Sequence, residues 1–256
     1  MLLENKIAIL YGGAGQVGST VAQAFAREGA RVFLAGRTLD ALDKVASGIK
    51  AAGRRAETAQ VDATDPESVD AHFGAVVNQA GSVDISFNMI GLSDVQGEEL
   101  AKMSLADYMR PIEIGTRTHF ITATTAARQM TERGRGVIMA ITATPSRLAL
   151  PLVGGFGTAC GAIEGMLRTL AAELGPRGVR VCWLRSAGSP ESFGPDDPIR
   201  GRGGPADYLQ MLRQNTLLKR FPMLAEVGEA AVLIASDRAS AITGATANIT
   251  CGQIVD

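Results

Sequence analysis

The chain is poor in the residues that build metal centres, disulfide frameworks and nucleic-acid surfaces. Its 256 residues include three cysteines and two histidines, and no two cysteines form a C-x-x-C pair. This spacing argues against structural zinc and a disulfide framework, so we expect no metal and a cytoplasmic location. The net charge is −1, with acids and bases interspersed, which argues against a partner such as nucleic acid or a charged membrane.

Long apolar runs and a targeting pattern are also missing. The longest apolar runs, such as Ile7–Tyr11 and Val181–Leu184, have the length of strands rather than of membrane-spanning helices. The opening stretch MLLENKIAIL lacks the basic segment, apolar run and cleavage site of a signal peptide. Hydrophobic residues make up 46% of the chain, which is enough for the core of a single domain over residues 1–256.

Strand-like and helix-like stretches alternate along the chain without a repeat of intermediate length. Most strand candidates are continuously apolar, as expected of strands covered on both faces. We predict an α/β fold of the doubly wound Rossmann type, with a seven-stranded parallel sheet and helices on both faces. The predicted strands are Lys6–Tyr11, Arg31–Ala35, Glu57–Val61, Val83–Asn88, Gly136–Thr142, Val179–Leu184 and Ala245–Ile249. The predicted helices include Val17–Gly29, Leu39–Gly53, Pro66–Ala80 and Gly157–Leu174.

The first predicted strand runs directly into a glycine-rich turn, GGAGQVG, and a helix pattern follows. Glycines leave room for a phosphate, and the start of a helix offers free N–H groups with a partial positive charge. The strand before and the helix after are the context that a dinucleotide site requires, although the turn alone is also compatible with no function. The predicted phosphate-binding residues are Gly12, Gly15, Gln16, Val17 and Gly18.

The second predicted strand is followed by Gly36, Arg37 and Thr38. A site for NAD(H) usually has an acidic residue here for the ribose 2′-hydroxyl, whereas a 2′-phosphate requires a cation. Since the sequence has Arg37 and no acid, we expect NADP(H) rather than NAD(H) as the cofactor. In the alternative interpretation, Arg37 is a solvated charge at the end of a strand.

Four segments resemble the short-chain dehydrogenase/reductase family over nearly the whole chain, in particular its compact 3-oxoacyl-carrier-protein reductases and related bacterial carbonyl reductases. These segments are YGGAGQVG, VDATD, VDISFNMIG and the tail from Leu224 to Gly252. The resemblance implies that Asp62 and Ala63 lie beside the adenine. Asn88 and Gly91 match the ends of the family's Asn-Asn-Ala-Gly, so they are expected at the cofactor as well.

The resemblance also implies a small-molecule substrate and a homo-oligomer, either a tetramer or a dimer. In the family, the long fourth and fifth helices commonly form the contact between subunits. Thr158–Leu174, rich in small residues, is the matching fifth helix here. We therefore expect close helix packing between subunits in this region.

The catalytic positions implied by the resemblance carry residues unsuited to the family's reaction. The family uses a Tyr, a Lys four residues later, a Ser thirteen residues before the Tyr, and an Asn on the preceding long helix. Here these positions fall at Phe156, Cys160, Ala143 and Gly115. No Tyr-x-x-x-Lys pair exists anywhere in the chain. Ordinary ketone reduction needs a proton donor at the developing oxyanion, so the sequence argues against that mechanism.

Four other groups are candidates for the missing donor, and each also has an ordinary structural interpretation. Thr142 and Thr144 flank Ala143 but are typical strand-end threonines. Cys160 is either a reactive thiol or a buried inert one, and His119 either faces the site or packs in the interior. Arg147 and Arg185 either hold an anionic substrate group or are solvated charges.

A segment rich in proline and glycine begins at Ser186 and is followed by the helix-like stretch PADYLQMLRQNT. We predict a substrate lid over about residues 186–217, with an ordinary surface loop as the alternative.

Three functions agree with these observations. The first is an NADP(H)-dependent oxidoreductase that reduces an activated C=C, C=N or carbonyl group of a hydrophobic small molecule without the tyrosine acid. The second is a catalytically degenerate family member that acts as a nucleotide-binding or partner subunit. The third is a non-redox lyase, isomerase or cyclase that reuses the pocket.

Overall fold

A computed structural model describes residues 1–192 and 205–255. Seven parallel strands form one sheet in the order β3-β2-β1-β4-β5-β6-β7. This confirms the predicted seven-stranded parallel sheet. The strands are β1 (Ile7–Tyr11), β2 (Arg31–Gly36), β3 (Ala56–Gln60), β4 (Ile85–Asn88), β5 (Gly136–Ala143), β6 (Val179–Ser186) and β7 (Ala245–Ile249).

Helices cover both faces of the sheet, because side chains that alternate along each strand enter two separate cores. In β1, for example, Ile7 and Ile9 pack with α3, α4 and α5, whereas Ala8 and Leu10 pack with α1, α2 and α7. The helices are α1 (Gln16–Arg27), α2 (Leu39–Ala51), α3 (Pro66–Ala80), α4 (Leu105–Arg133), α5 (Phe156–Leu174), α6 (Pro205–Gln214) and α7 (Leu224–Ala235).

Local signals in the sequence fix several helix ends. The Asp65 side chain accepts a hydrogen bond from the Glu67 N–H at the start of α3, and Gly81 ends that helix with a left-handed backbone. Ser104 caps α4 through the Asp107 N–H. Thr38 immediately precedes α2, but its side chain makes no cap hydrogen bond.

The topology of the sheet creates the crevice in which ligands bind. Strand β1 pairs with β2 on one side and with β4 on the other, so the chain reverses its winding direction beside β1. The carboxyl ends of parallel strands at such a point leave an opening between the loops that follow them. In the described part of the chain, no helix is long and apolar enough to cross a bilayer.

Candidate nucleotide groove and apolar pocket

A groove of about 510 Å³ lies at the carboxyl ends of β1, β2 and β4. The glycine turn between β1 and α1 forms one wall of this groove. Backbone from the end of β2 and the segment after β3 forms the other wall. The fold therefore brings the predicted phosphate turn and the predicted adenosine side together in one cavity.

The glycine turn has no space for side chains at the positions where the backbone folds on itself. Gly12 has φ +78°, and a Cβ there would lie 2.7 Å from the Met89 carbonyl oxygen. A Cβ on Gly18 would overlap the carbonyl oxygen of Gly12. Gly15 occupies the cap position of α1 and lines the groove. The free N–H groups of the first turn of α1 follow it, so the turn suits a phosphate pair.

The remaining predicted phosphate residues have different positions. Gln16 is the exposed first residue of α1, and Val17 lines a neighbouring cavity instead of the groove. Gly18 is buried below the turn, and because it has no side chain, α1 can approach Gly12 closely. Gln16 and Gly18 are therefore not among the residues that wall the groove.

Arg37 and Asp62 provide the charged side chains of the groove wall. Arg37 is exposed, and within residues 1–192 and 205–255 its guanidinium donates no hydrogen bond. The Asp62 carboxylate accepts hydrogen bonds from the Thr64 hydroxyl (2.7 Å) and N–H (2.9 Å). These bonds lower the pKa of Asp62, so the carboxylate is ionised at neutral pH. Ala63 lines the groove beside it.

Asn88 and Gly91 differ in their relation to the groove. The Asn88 side chain is buried beneath it, where the amide donates to the Thr122 hydroxyl (3.0 Å) and accepts from the Ile90 N–H (3.0 Å). Asn88 thus links β4 to α4, and its hydrogen bond with Ile90 fixes the start of the loop that follows β4. Gly91 is exposed and lines the groove, and a Cβ there would meet no other atom within 4 Å.

A second cavity of about 350 Å³ adjoins the groove and is mostly apolar. Met89, Ile90 and Gly91 line both cavities, so the two spaces meet at the loop after β4. We call the second cavity the apolar pocket. Its main apolar lining is contributed by Val17, Met89, Ile90, Leu92, Ile141, Leu150, Val153, Phe156, Leu212, Phe221 and Leu224.

Three of the four positions matched to the family's catalytic residues line the apolar pocket. They are Ala143 at the end of β5, Phe156 at the start of α5, and Cys160 one turn later. Gly115 lies on α4, where its missing side chain is replaced by Ile163 and Leu92, each 3.2 Å from an ideal Cβ. The fold therefore assembles the expected positions without a tyrosine, lysine or serine at them.

The candidate proton donors differ in whether their proton can reach a ligand in the apolar pocket. Burial raises the pKa of Cys160 to about 12, so its thiol remains protonated and is a poor nucleophile. His119 is buried and lines neither cavity. Its Nδ1 lies 2.8 Å from the Gly115 carbonyl oxygen, and burial lowers its pKa to about 4. The structure therefore does not bring His119 to the site.

The two threonines also differ in whether their hydroxyl is free to bond a ligand. The Thr142 hydroxyl donates to a Glu164 carboxylate oxygen (2.9 Å), so its proton is already engaged. Thr144 begins a short 3-10 turn and lines the apolar pocket. Its hydroxyl has no hydrogen-bond partner in the described part of the chain. Among the four candidates, Thr144 alone presents an unengaged hydroxyl to this pocket.

A buried ion pair behind the pocket was missed by sequence reasoning. Arg185 of β6 donates to both oxygens of Glu164 of α5, at 2.7 and 3.0 Å, and both side chains are about 1% exposed. Ser146 donates to the same carboxylate at 2.7 Å. Burial alone would raise the pKa of Glu164, but the hydrogen bonds from Arg185, Ser146 and Thr142 bring it below its usual value.

This ion pair corrects the interpretation of Arg185 as a solvated charge or as a ligand for a substrate anion. Its guanidinium is buried and occupied by Glu164 because β6 and α5 pack directly on each other. Arg147, the other arginine considered for that role, is exposed and lies outside the pocket lining.

Parts of the predicted lid border the apolar pocket. Ser189 and Ser192 line it from the segment after β6, and Leu212 lines it from α6. Residues 193–204, which belong to the predicted lid, lie outside the described residues. Within the described ranges, no group of three or more His, Cys, Asp or Glu side chains is placed to hold a metal ion.

Comparisons with known proteins agree with this geometry. Residues 12–253 match a family model described as enoyl-(acyl carrier protein) reductase. The chain is 31% identical over 255 residues to an uncharacterised oxidoreductase of Mycobacterium tuberculosis, covering 98% of this chain and 92% of that protein. It is also 31% identical over 247 residues to the mitochondrial (−)-isopiperitenol/(−)-carveol dehydrogenase of Mentha piperita, covering 94% and 91%.

A solved structure shows the same fold. NAD⁺-bound xylitol dehydrogenase superposes with a TM-score of 0.90 at 22% identity, covering 98% of this chain and all of the other. Because almost the whole chain is included, the similarity concerns the complete fold.

Proposed function

We propose that this chain, which belongs to the short-chain dehydrogenase/reductase family of oxidoreductases, uses NADPH to reduce an activated C=C, C=N or carbonyl group of a hydrophobic small molecule. The observation that carries the proposal is the junction at Met89–Gly91, where the nucleotide groove opens into the apolar pocket. A nicotinamide that reaches this junction from the groove would face the substrate.

The residues of the groove fit a phosphorylated dinucleotide. Gly12, Gly15 and the start of α1 would hold the pyrophosphate, because no Cβ blocks the approach to the N–H groups. The guanidinium of Arg37 would hold the 2′-phosphate, which favours NADP(H) over NAD(H). The Asp62 carboxylate, fixed by Thr64, would accept a hydrogen bond from the adenine amino group.

The apolar pocket explains which acceptors are suitable. When bound, NADPH supplies a hydride. Loss of a general acid costs about 10²- to 10⁴-fold in the rate of a reaction that needs one. An activated double bond or an iminium places less negative charge on an oxygen in the transition state, so it needs the absent tyrosine less. The apolar lining holds a hydrophobic substrate away from water, and the Thr144 hydroxyl can donate one hydrogen bond to it.

We also propose a homo-oligomer, a tetramer or a dimer, that forms through α4 and α5. The two helices pack side by side, and Phe120 of α4 remains 58% exposed in the single chain. Phe120 thus lies exposed on one of the two helices that commonly form the contact between subunits in the family. Light scattering that gives the mass of one chain would contradict this proposal.

The function is tested with purified protein, NADPH or NADH, and a panel of enones, imines, iminium ions and ketones. We expect tight binding of NADPH and its oxidation with at least one activated acceptor. Binding of NADPH without turnover of any acceptor would favour a nucleotide-binding or partner subunit. Conversion of a substrate without oxidation of NADPH would favour a lyase, isomerase or cyclase.

Cofactor choice has a sharper test in Arg37→Ala. A hydrogen bond to a charged group contributes about 1.5–3 kcal/mol, so we expect NADPH affinity to fall about 10- to 100-fold. NADH affinity should change less than about threefold, because NADH has no 2′-phosphate for Arg37 to bind. Titration calorimetry measures both values, with Arg177→Ala as a control that removes an exposed arginine far from the groove. An equal loss for both cofactors would contradict the assignment of Arg37.

A further inference from the structure

The apolar pocket contains one charged side chain among the described residues that line it, Asp94. Asp94 lies in the loop between β4 and α4 and is half-buried. Around it are aliphatic and aromatic side chains, with Thr144 and a few serine and amide groups as the other polar lining. A single carboxylate in such surroundings sets the sign of the electrostatic potential inside the pocket.

The charge of Asp94 is only partly compensated. Its Oδ2 accepts a hydrogen bond from the Gln96 amide at 2.6 Å. Within residues 1–192 and 205–255, no lysine or arginine forms an ion pair with it. An ionised group beside apolar surface costs free energy unless a counter-charge or further hydrogen bonds offset the cost. The described residues that line the pocket therefore carry a net negative charge, which would attract a cation.

The field of Asp94 reaches the reacting end of the pocket. Burial is the largest cause of the raised pKa of Cys160, and the negative charges of Glu164 and Asp94 raise it further. Glu164 is neutralised by Arg185, whereas Asp94 has no comparable partner among the described residues. An alkoxide or enolate forming beside Phe156 and Cys160 would be repelled by this charge, and a positive group would be attracted.

We propose that the apolar pocket binds hydrophobic amines, and that Asp94 binds the substrate as an iminium cation that the enzyme reduces. The inference rests on the proposed function and specifies its substrate class. The two unusual features of the site then have one explanation. An iminium needs a negative partner, which Asp94 provides, and needs no proton donor, which Phe156, Cys160 and Ala143 do not provide.

The step balances without a general acid. The iminium carbon accepts a hydride with its electron pair from NADPH, which forms the new C–H bond. The π-electron pair of the C=N bond moves onto nitrogen as a lone pair. The substrate is reduced to a neutral amine, and NADPH is oxidised to NADP⁺. No proton enters or leaves during the step, and the amine takes up a proton from water after release.

Catalysis is tested with a permanent cation, N-methyl dihydroisoquinolinium, and with a neutral acceptor, cyclohexenone. Replacing Asp94 with Asn keeps the shape and removes the charge. For Asp94→Asn we expect kcat/KM for the iminium to fall about 10- to 100-fold, mainly through KM, because an ion pair in a poorly solvated site is lost. The value for cyclohexenone should rise, because the negative charge that develops on its oxygen is no longer repelled by a carboxylate.

Two further variants serve as controls. Glu98→Gln removes an equal charge from an exposed position in the same loop, outside the pocket lining, and should leave both substrates unaffected. Asp94→Glu keeps the charge and should retain more iminium activity than Asp94→Asn. Equal activity of the wild type and Asp94→Asn toward the iminium would overturn the proposal.

Binding without NADPH provides a second, independent readout. Tetrahydroisoquinoline is an ammonium ion at neutral pH, and tetralin has nearly the same shape without a charge. We expect the wild type to bind the ammonium at least about tenfold more tightly than tetralin, and Asp94→Asn to lose this preference. Equal binding of the two ligands by the wild type would overturn the proposal.

The combined results separate this inference from the proposed function. Asp94-dependent binding of the ammonium without oxidation of NADPH by any acceptor would support the ligand class and contradict the redox function. Reduction of cyclohexenone, with no effect of Asp94→Asn on iminium turnover or ammonium binding, would support the redox function and contradict the ligand class.

Discussion

The nucleotide groove and the apolar pocket lie at the same edge of one sheet and share the loop at Met89–Gly91, yet they are built in different ways. The groove depends on backbone, since the turn between β1 and α1 can adopt its shape only because side chains are absent at Gly12 and Gly18. The pocket depends on the chemistry of its side chains, and there the polar residues implied by the family resemblance are replaced. Under the proposed function, a cofactor site defined by backbone geometry would be kept while the neighbouring reaction site would have changed its chemistry.

The broadest expected effect, on both stability and cofactor affinity, tests the backbone half of this comparison. In Gly18→Ala, the new Cβ would overlap the Gly12 carbonyl oxygen, and the turn has to move. Overpacking of this kind costs about 1–3 kcal/mol or more, so we expect a loss near the upper end of that range in the free energy of unfolding. NADPH affinity should fall with it. Urea denaturation and titration calorimetry measure the two effects.

Gly48→Ala is the matched control for this prediction. Gly48 lies inside α2, and a Cβ there would meet no atom within 4 Å. The substitution should stabilise the protein by about 0.5–1 kcal/mol, because alanine has the higher helix propensity. Similar destabilisation by both substitutions would show that the turn has no special requirement for glycine.

The second prediction concerns the buried ion pair behind the pocket. Removing one partner of such a pair costs about 3–5 kcal/mol, because the other charge stays buried without compensation. We expect this loss for Arg185→Met, and a smaller loss for the double variant Glu164→Leu, Arg185→Met. Urea denaturation of the single and double variants measures it. A double variant less stable than the single one would contradict the assignment of the pair as a closed structural unit.

The same pair gives a pH dependence with a defined sign. The pKa of Glu164 in the folded protein is below its usual value of 4.5, so its contribution to stability is fully present above that pH. It is lost as the pH falls through the folded-state pKa. The stability difference between the wild type and Glu164→Gln should therefore shrink as the pH falls below 4.5. A difference that stays constant to lower pH would contradict the lowered pKa.

The smallest expected effect is that of Cys160→Ala. Because burial raises the pKa of this thiol to about 12, it is not a nucleophile at neutral pH, and it is a weaker acid than a tyrosine. We expect kcat/KM for the best acceptor to change less than about threefold, with a loss of stability of about 1 kcal/mol from the small cavity. Steady-state kinetics decide this. A loss of activity of about 100-fold would assign the thiol a role in the reaction.

Much of the fold follows from local patterns in the sequence. The apolar runs predicted the seven strands to within one or two residues, as in β1, predicted at Lys6–Tyr11 and found at Ile7–Tyr11. The second predicted helix ends at Gly53, which lies two residues after the end of α2 and has a left-handed backbone with φ +71°. These features are local, since burial on both faces and backbone conformation act on neighbouring residues.

The substrate side was less predictable because its contacts join distant parts of the chain. Nothing around Glu164 distinguishes it from an ordinary solvated charge on a helix, and its partner Arg185 is on a strand 21 residues away. Asn88 matched a cofactor motif, yet its side chain points to Thr122 on α4. Asp94 carries no motif, and its place in the lining of the apolar pocket appears only in the folded chain.

The packing around Gly115 has a consequence for the movement of protons. Ile163 and Leu92 fill the space beside Gly115, at the position where the family resemblance implies an asparagine that supports a water molecule. Aliphatic side chains conduct no protons, so on this side of the pocket the protein interior is closed to a chain of waters. In the proposed reaction, the amine product would therefore take up its proton from solvent at the opening of the pocket. Its protonation would then be coupled in time to its departure.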